Sequence, residues 1–248
     1  MKRIILIAVM CAFVAVPALG DLTGQVPVSN FGWWSETGSI AGDGYAGGTG
    51  AYTSVYTWTA NRASGQTWGE GKLVPDWGFC IELPQSPQAG LYDVLTLDEA
   101  PLPGAYGTPM GVTKANLIEE LWARNFDPTW ITTHNAAKAE AFAGCIWEIV
   151  YEPLPVAFGG TGLGYSITTD QNGNYYGSNE FFKMWNADTA TAQGWLNALT
   201  GTGPREENLR AISSATGQDF LVKVPVPAAV LLGILGLGAA GLKLRKFA

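Results

Sequence analysis

Residues 135–152 read NAAKAEAFAGCIWEIVYE and have the spacing of one long helix. At about 3.6 residues per turn, most of the apolar side chains share one broad face. That face contains Phe142, Cys145, Ile146, Ile149 and Val150, widened by Ala139, Ala143 and Trp147. We expect the narrow stripe of Glu140, Gly144, Glu148 and Glu152 to face water. Because a helix with so little polar surface needs cover on most sides, the sequence predicts a buried central helix.

The sequence on both sides of this helix favours β-structure. Residues 52–59 alternate and are rich in strand formers, residues 77–83 predict a short strand, and residues 219–224 a last one. Helical spacing recurs at residues 113–125 and 180–199. The expected fold class is therefore α+β: a mainly antiparallel β sandwich or barrel with a buried central helix, two further helical segments and a C-terminal transmembrane helix.

The first twenty residues have the pattern of a secretory signal peptide. Two basic residues precede an apolar run, and small residues stand before Asp21. We expect cleavage between Gly20 and Asp21. Residues 21–223 then form one exported body outside the membrane.

The C-terminal residues 224–248 combine three features in order: a Val-Pro-x-Pro motif, a short apolar run and a basic tip expected to stay cytoplasmic. The residues that carry this pattern are Val224, Pro225, Pro227, Lys243, Arg245 and Lys246. The order resembles that of PEP-CTERM sorting signals, although Val226 stands where a Glu is usual. The resemblance implies an exosortase-type sorting enzyme and the membrane as partners, and delivery to the cell envelope or surface. A plain C-terminal anchor is the alternative.

Composition and motifs exclude several classes of function. The net charge of −7 argues against nucleic-acid binding, which needs a clustered basic surface. His134 is the single histidine, and no Walker loop or dinucleotide-binding glycine pattern occurs. Two scattered cysteines in the body and one histidine do not make a zinc site. We therefore expect no catalytic residues, no metal and no cofactor.

Two short motifs in the body resemble the thioester domain of bacterial surface adhesins. Phe79-Cys80-Ile81-Glu82 matches an aromatic-Cys-apolar-acid strand, and residues 142–148 match a helix with an apolar-Gln-x-x-apolar-Trp pattern. In that family a Cys sulfur and a Gln carbonyl form an internal thioester, which an amine or hydroxyl on a host surface can attack. The resemblance implies an adhesin-like body whose reactive position comprises Cys80 and residue 143.

The match departs from the family at the position that matters for chemistry. Ala143 stands where the motif has Gln, and alanine offers no carboxamide. Gln85 is too close to Cys80 along the same strand, and Gln171, Gln193 and Gln218 fall outside the pattern. The sequence therefore predicts a scaffold without a working internal thioester.

Cys80 and Cys145 can also be considered as a disulfide, since both lie in an exported body. Such a bond would close a loop of about 64 residues, worth about 4 kcal/mol in the chain-entropy model. However, Cys145 lies about 200° around the helix from Ala143. If Ala143 faces Cys80, Cys145 faces away, so both a disulfide and two buried free thiols stay open.

We expect an exported, adhesin-like or structural surface protein that is not an enzyme. Its partner would be an extracellular polysaccharide or a protein surface. The alternative is a secreted carbohydrate-binding module or a glycoside hydrolase with a Trp-lined cleft. A hydrolase needs two placed carboxylates, and the available residues are Glu82, Glu119, Glu120, Glu140 and Glu148.

Overall fold

The computed structural model describes residues 24–34, 39–42, 45–49, 55–60, 74–102, 108–162, 164–167, 182–185 and 187–224. Nine strands lie in these ranges: β1 Gly24–Trp34, β2 Ser39–Gly42, β3 Tyr45–Thr49, β4 Val55–Ala60, β5 Trp77–Cys80, β6 Gly90–Thr96, β7 Phe182–Trp185, β8 Leu209–Ser213 and β9 Phe220–Lys223. The α-helices of the same ranges are α1 Val112–Asn125, α2 Thr129–Thr133, α3 Ala136–Tyr151 and α4 Thr189–Asn197. Two 3₁₀ turns, Leu97–Glu99 and Val156–Phe158, complete the described elements.

Six antiparallel strands close into a barrel in the order β1-β4-β5-β9-β8-β6. Strand β1 closes it, because its first half pairs with β6 and its second half with β4. The register shifts between Ser29 and Gly32, and Asn30 lies in the left-handed region with φ of 53°. Such a bulge bends the strand and increases its local twist. A smaller sheet has the strand order β3-β2-β7, and Phe182 of β7 packs against Trp147 of α3.

Aromatic side chains fill the interior of the barrel. Phe220 from β9 lies 5.0 to 6.3 Å, between ring centres, from rings on three other strands. Those rings belong to Phe31, Tyr56, Trp58 and Tyr92. Since β1 and β9 are not neighbours in the sheet, the contact between Phe31 and Phe220 crosses the barrel. Burial of large aromatic surfaces is the main stabilising contribution expected of such a core.

A second aromatic cluster joins the helices to the outside of the barrel. Phe79 of β5 contacts Trp122 and Phe126, from α1 and its C-terminal end, and Phe142 of α3. Its neighbour Gly78 instead faces Trp58 in the interior, as the alternation of side chains along a strand requires. Strand β5 therefore links both halves of the hydrophobic core.

The fold class expected from the sequence is wrong. Of the two sheet architectures expected, the described chain has a barrel, closed by six strands. Residues 180–199 contain strand β7 followed by helix α4, where a helix or a pair of helices was expected. No helix within the described ranges is both long enough and apolar enough to cross a membrane. The expected transmembrane helix falls on residues after Val224, which lie outside the described residues, as does the expected signal peptide.

The expected polar stripe of the central helix is also wrong. Helix α3 has the expected position, but Glu140, Glu148 and Glu152 are at most 5% exposed. Glu148 accepts a hydrogen bond from the Ser166 backbone N–H, and Glu152 accepts one from the Phe182 N–H, both at 2.6 Å. The chain after α3 folds back over this stripe, and the carboxylates satisfy its backbone donors.

Gly78 provides a test of the close packing inside the barrel. A Cβ at this position would lie 2.5 Å from the Leu221 carbonyl oxygen and 2.7 Å from the Trp58 ring. We expect Gly78→Ala to lower the free energy of unfolding by about 1–3 kcal/mol, the usual cost of overpacking. Chemical denaturation measures this difference.

Gly90→Ala is the matched control, because a Cβ there would meet no atom within 4 Å. We expect its stability to lie within about 0.5 kcal/mol of the original protein. Equal stability of both variants would contradict the close approach of β5, β9 and the Trp58 ring.

Candidate functional site

Cys80 is the last residue of β5 and is fully buried. Its thiol donates a hydrogen bond to the Glu82 carbonyl oxygen at 3.0 Å, and the Glu82 N–H approaches the sulfur at 3.3 Å. Burial raises the pKa of this thiol far above its usual range; a backbone hydrogen bond from Glu82 and the nearby Trp147 indole oppose the rise, and the charges of Glu82 and Asp219 add to it. The resting sulfur is therefore a protonated thiol.

Gln218 lies beside Cys80 although 138 positions separate them in the chain. Strands β5 and β9 pair Cys80 with Phe220, and the Ile81 N–H continues the pairing by donating to the Asp219 carbonyl at 3.0 Å. This register brings Gln218 opposite Glu82. The Gln218 side-chain Nε2 then donates to the Glu82 carbonyl oxygen at 2.8 Å.

The Cys80 sulfur and the Gln218 carboxamide thus bind the same oxygen atom. Because the two distances to that oxygen are 3.0 and 2.8 Å, Sγ and Nε2 lie within about 6 Å of each other. Gln218 is 4% exposed. A thiol and a primary carboxamide therefore lie side by side in a site that excludes most water.

Helix α3 covers this site from one side. Phe142 contacts Phe79 with ring centres 5.2 Å apart, and the Tyr151 hydroxyl accepts from the Leu83 N–H at 2.7 Å. From Phe142 to Tyr151 the helix rises about 13 Å. From Phe79 to Leu83 the extended chain covers about the same distance. The helix therefore runs alongside residues 79–83, and Trp147 lies about midway between its two contacts.

Two polar atoms in the site are buried without a hydrogen-bond partner of ordinary geometry among the described residues. They are Oε1 of Gln218 and Nε1 of Trp147. The Trp147 indole is close enough to Cys80 to lower the pKa of the thiol, but the approach of its N–H to the sulfur is not a well-formed hydrogen bond. A buried polar group left unpaired typically costs about 1–3 kcal/mol. The Gln218 oxygen is a hydrogen-bond acceptor, and the Trp147 N–H is a donor.

Two buried carboxyl groups border the site. Glu82 accepts from Gln85 Nε2 at 2.9 Å and from the Asp219 N–H at 3.3 Å, and burial raises its pKa. Asp219 accepts from the Ser213 hydroxyl and the Ser214 N–H, at 3.0 and 2.8 Å. Burial raises the pKa of Asp219 to about 7, and the neighbouring charge of Glu82 adds to this rise.

The two cysteines of the described chain are not joined. Both are free and fully buried, so the disulfide considered between Cys80 and Cys145 is not formed. The Cys145 thiol donates to the Ala192 carbonyl oxygen of α4 at 3.3 Å, on the side of α3 away from Cys80. Ala143 is fully buried and, one turn before Trp147, has only a methyl group to offer.

Three of the five carboxylates named for the hydrolase alternative, those of Glu82, Glu120 and Glu148, accept hydrogen bonds from the protein. Glu120 is 1% exposed and binds Arg124, Thr200 and Gly201. Trp58, Trp122, Trp130 and Trp147 are all buried. Within the described ranges, no three His, Cys, Asp or Glu residues form a group that could hold a metal ion.

The other predicted site residues lie mostly outside the described chain. Gly20, Asp21, Pro225, Pro227, Lys243, Arg245 and Lys246 belong to this set. Val224 is described: it is 1% exposed, and its N–H donates to the Asn208 carbonyl at 2.9 Å. The first residue of the expected sorting motif is thus packed against the body.

Comparison of this chain with models of protein families, with curated proteins and with solved structures finds no match.

The raised pKa of Asp219 predicts how stability depends on pH. Between its ordinary pKa of 3.8 and about 7, the folded protein keeps a proton that the unfolded chain has released. This contribution to stability is therefore present below pH 4 and is lost as the pH rises to 7. Each unit of pKa difference corresponds to about 1.4 kcal/mol.

We expect Asp219→Asn to flatten the fall in stability between pH 4 and 7, as measured by chemical denaturation across that range. Asp93→Asn, which changes an exposed carboxylate on β6, is the control and should keep the original slope. A slope that Asp219→Asn leaves unchanged would contradict the assignment of a buried, protonated Asp219.

Proposed function

We propose that this protein forms an internal thioester between Cys80 Sγ and Gln218 Cδ and uses it to attach covalently to an amine on another surface. The observation that supports the proposal is the shared Glu82 carbonyl oxygen, which holds the thiol and the carboxamide side by side. The proposal departs from the sequence prediction of a scaffold without a working thioester, because Gln218 supplies from a different element the carboxamide that Ala143 lacks.

Closure of the thioester needs no cofactor or oxidant. The Cys80 sulfur attacks Cδ of Gln218, the S–C bond forms and the C–Nε2 bond breaks. The thiol proton leaves with the nitrogen as ammonia. A nucleophile held next to its electrophile reacts much faster than the same groups free in solution, which is the advantage of the shared oxygen.

Attachment to a partner breaks the S–C bond that closure has formed. An amine attacks the thioester carbonyl, the new C–N bond forms as the S–C bond breaks, and a proton passes from the amine to the sulfur. The Cys80 thiol is restored and Gln218 becomes the acyl part of an amide to the partner. Covalent intermediates of cysteine divide a difficult acyl transfer into two easier steps.

Burial protects a reactive acyl group until a partner arrives. Cys80 is fully buried and Gln218 nearly so, which limits hydrolysis by water. The segment 84–89 includes exposed residues and borders the pair, because the Ser86 carbonyl accepts from the Gln218 N–H at 3.1 Å. An amine would reach the carbonyl from this side.

A covalent anchor suits a protein exported to the cell envelope. The leader pattern of residues 1–20 and the sorting pattern of residues 224–248 support export and handling by an exosortase-type enzyme. The partner is a protein or polysaccharide surface that carries amines.

Intact mass of the purified protein tests the proposal. We expect a mass lower than the sequence mass by one ammonia, and a gain of one methylamine on incubation with that amine. Cys80→Ala and Gln218→Ala should each have their full sequence mass and take up no methylamine.

Cys145→Ala is the matched control, since it removes the other buried free thiol. It should keep both the ammonia loss and the methylamine uptake. The proposal is falsified if the unaltered protein has its full sequence mass and does not react, or if Cys145→Ala abolishes both effects as completely as Cys80→Ala does.

A further inference from the structure

Trp147 lies next to the proposed bond. The contacts of Phe142 with Phe79 and of Tyr151 with Leu83 fix α3 along the segment that carries Cys80. Trp147 is fully buried, and the centre of its ring lies 5.9 Å from the ring centre of Phe182 in β7. It is therefore held by packing and has little freedom to turn away.

The indole N–H and the Gln218 side-chain oxygen are complementary. Nε1 of Trp147 has only a hydrogen to donate, and Oε1 of Gln218 can only accept. Neither has a hydrogen-bond partner of ordinary geometry in the described part of the chain, and both are buried. The Trp147 indole lies close to the Cys80 sulfur, and closure of the bond would place the Gln218 carbonyl carbon on that same sulfur.

We propose that the N–H of Trp147 donates a hydrogen bond to the acyl oxygen of the Cys80–Gln218 thioester. This inference rests on the proposed function and adds a residue that contacts the reacting atoms. In the closed form, these two atoms, which lack an ordinary hydrogen-bond partner among the described residues, would satisfy each other.

The same hydrogen bond aids both reactions of the acyl group. Closure and attack by an amine each pass through a tetrahedral intermediate in which this oxygen carries negative charge. A fixed donor in a buried site stabilises that charge and needs no rearrangement when the charge develops. Trp147 thus makes the carbonyl more electrophilic and holds its orientation.

Trp147→Phe tests the inference because it keeps an aromatic ring and removes the N–H. We expect methylamine to react with the thioester of this variant on the order of 100-fold more slowly, the usual effect of losing one such donor. We also expect the infrared band of the thioester carbonyl, isotope-labelled at glutamine, to move to higher frequency as its hydrogen bond is lost.

Trp122→Phe is the matched control. Trp122 is also buried with an unpaired Nε1 among the described residues, but it packs on Phe79, Phe126 and Phe142. It should keep the methylamine rate and the carbonyl band of the unaltered protein. If Trp147→Phe reacts at the original rate with an unshifted band, the inference is wrong.

A measurement on the unaltered protein covers the case in which Trp147→Phe does not fold. The NMR resonance of the Trp147 indole N–H should shift downfield in the closed protein relative to Cys80→Ala, while that of Trp122 stays in place. An unchanged Trp147 resonance would overturn the inference. If the unaltered protein shows no ammonia loss, the proposed function fails; if it does and Trp147 has no effect, only this inference fails.

Discussion

The carbonyl oxygen of Glu82 accepts two hydrogen bonds at once, from the Cys80 thiol and from the Gln218 carboxamide. Everything proposed for this protein depends on that shared oxygen. Both groups reach this oxygen because strands β5 and β9 pair with Cys80 opposite Phe220. The pairing continues with the hydrogen bond from the Ile81 N–H to the Asp219 carbonyl. A shift of one residue in this register would turn Gln218 to the other face of the sheet.

The closed barrel explains why that register is firmly held. Strand β9 lies between β5 and β8, and Phe220 contacts rings on three other strands across the interior. Slippage would remove Phe220 from this cluster and expose it. The packing that stabilises the barrel thus also positions the reactive pair, which links the stability of the core directly to the chemistry.

The surroundings of the pair are unusual for a structural site. Two buried acids with raised pKa values, and two buried polar atoms without an ordinary partner among the described residues, reduce stability. Such costs are common at functional sites, where the surrounding fold compensates for them. Here the proposed bond would let the two polar atoms pair with each other.

Sequence patterns predicted the parts of the site that depend on local spacing. The helix over residues 136–151 followed from its apolar period, and Cys80 from its short motif. Gln218 was set aside because it falls outside the helix motif. Only long-range strand pairing brings it to Cys80, and periodicity carries no information about which strands pair. Its position just before the predicted last strand was the available signal. Glu148 and Glu152 were assigned to water because the local pattern does not show their partners, the backbone N–H groups of Ser166 and Phe182.

The location of the methylamine label tests the central claim most directly. After incubation of the purified protein with isotope-labelled methylamine, peptide mass spectrometry identifies the modified side chain. The account predicts the label on Gln218 alone, with Cys80 recovered as a free thiol. An unlabelled Gln218, or a label on another glutamine such as Gln193, would contradict it.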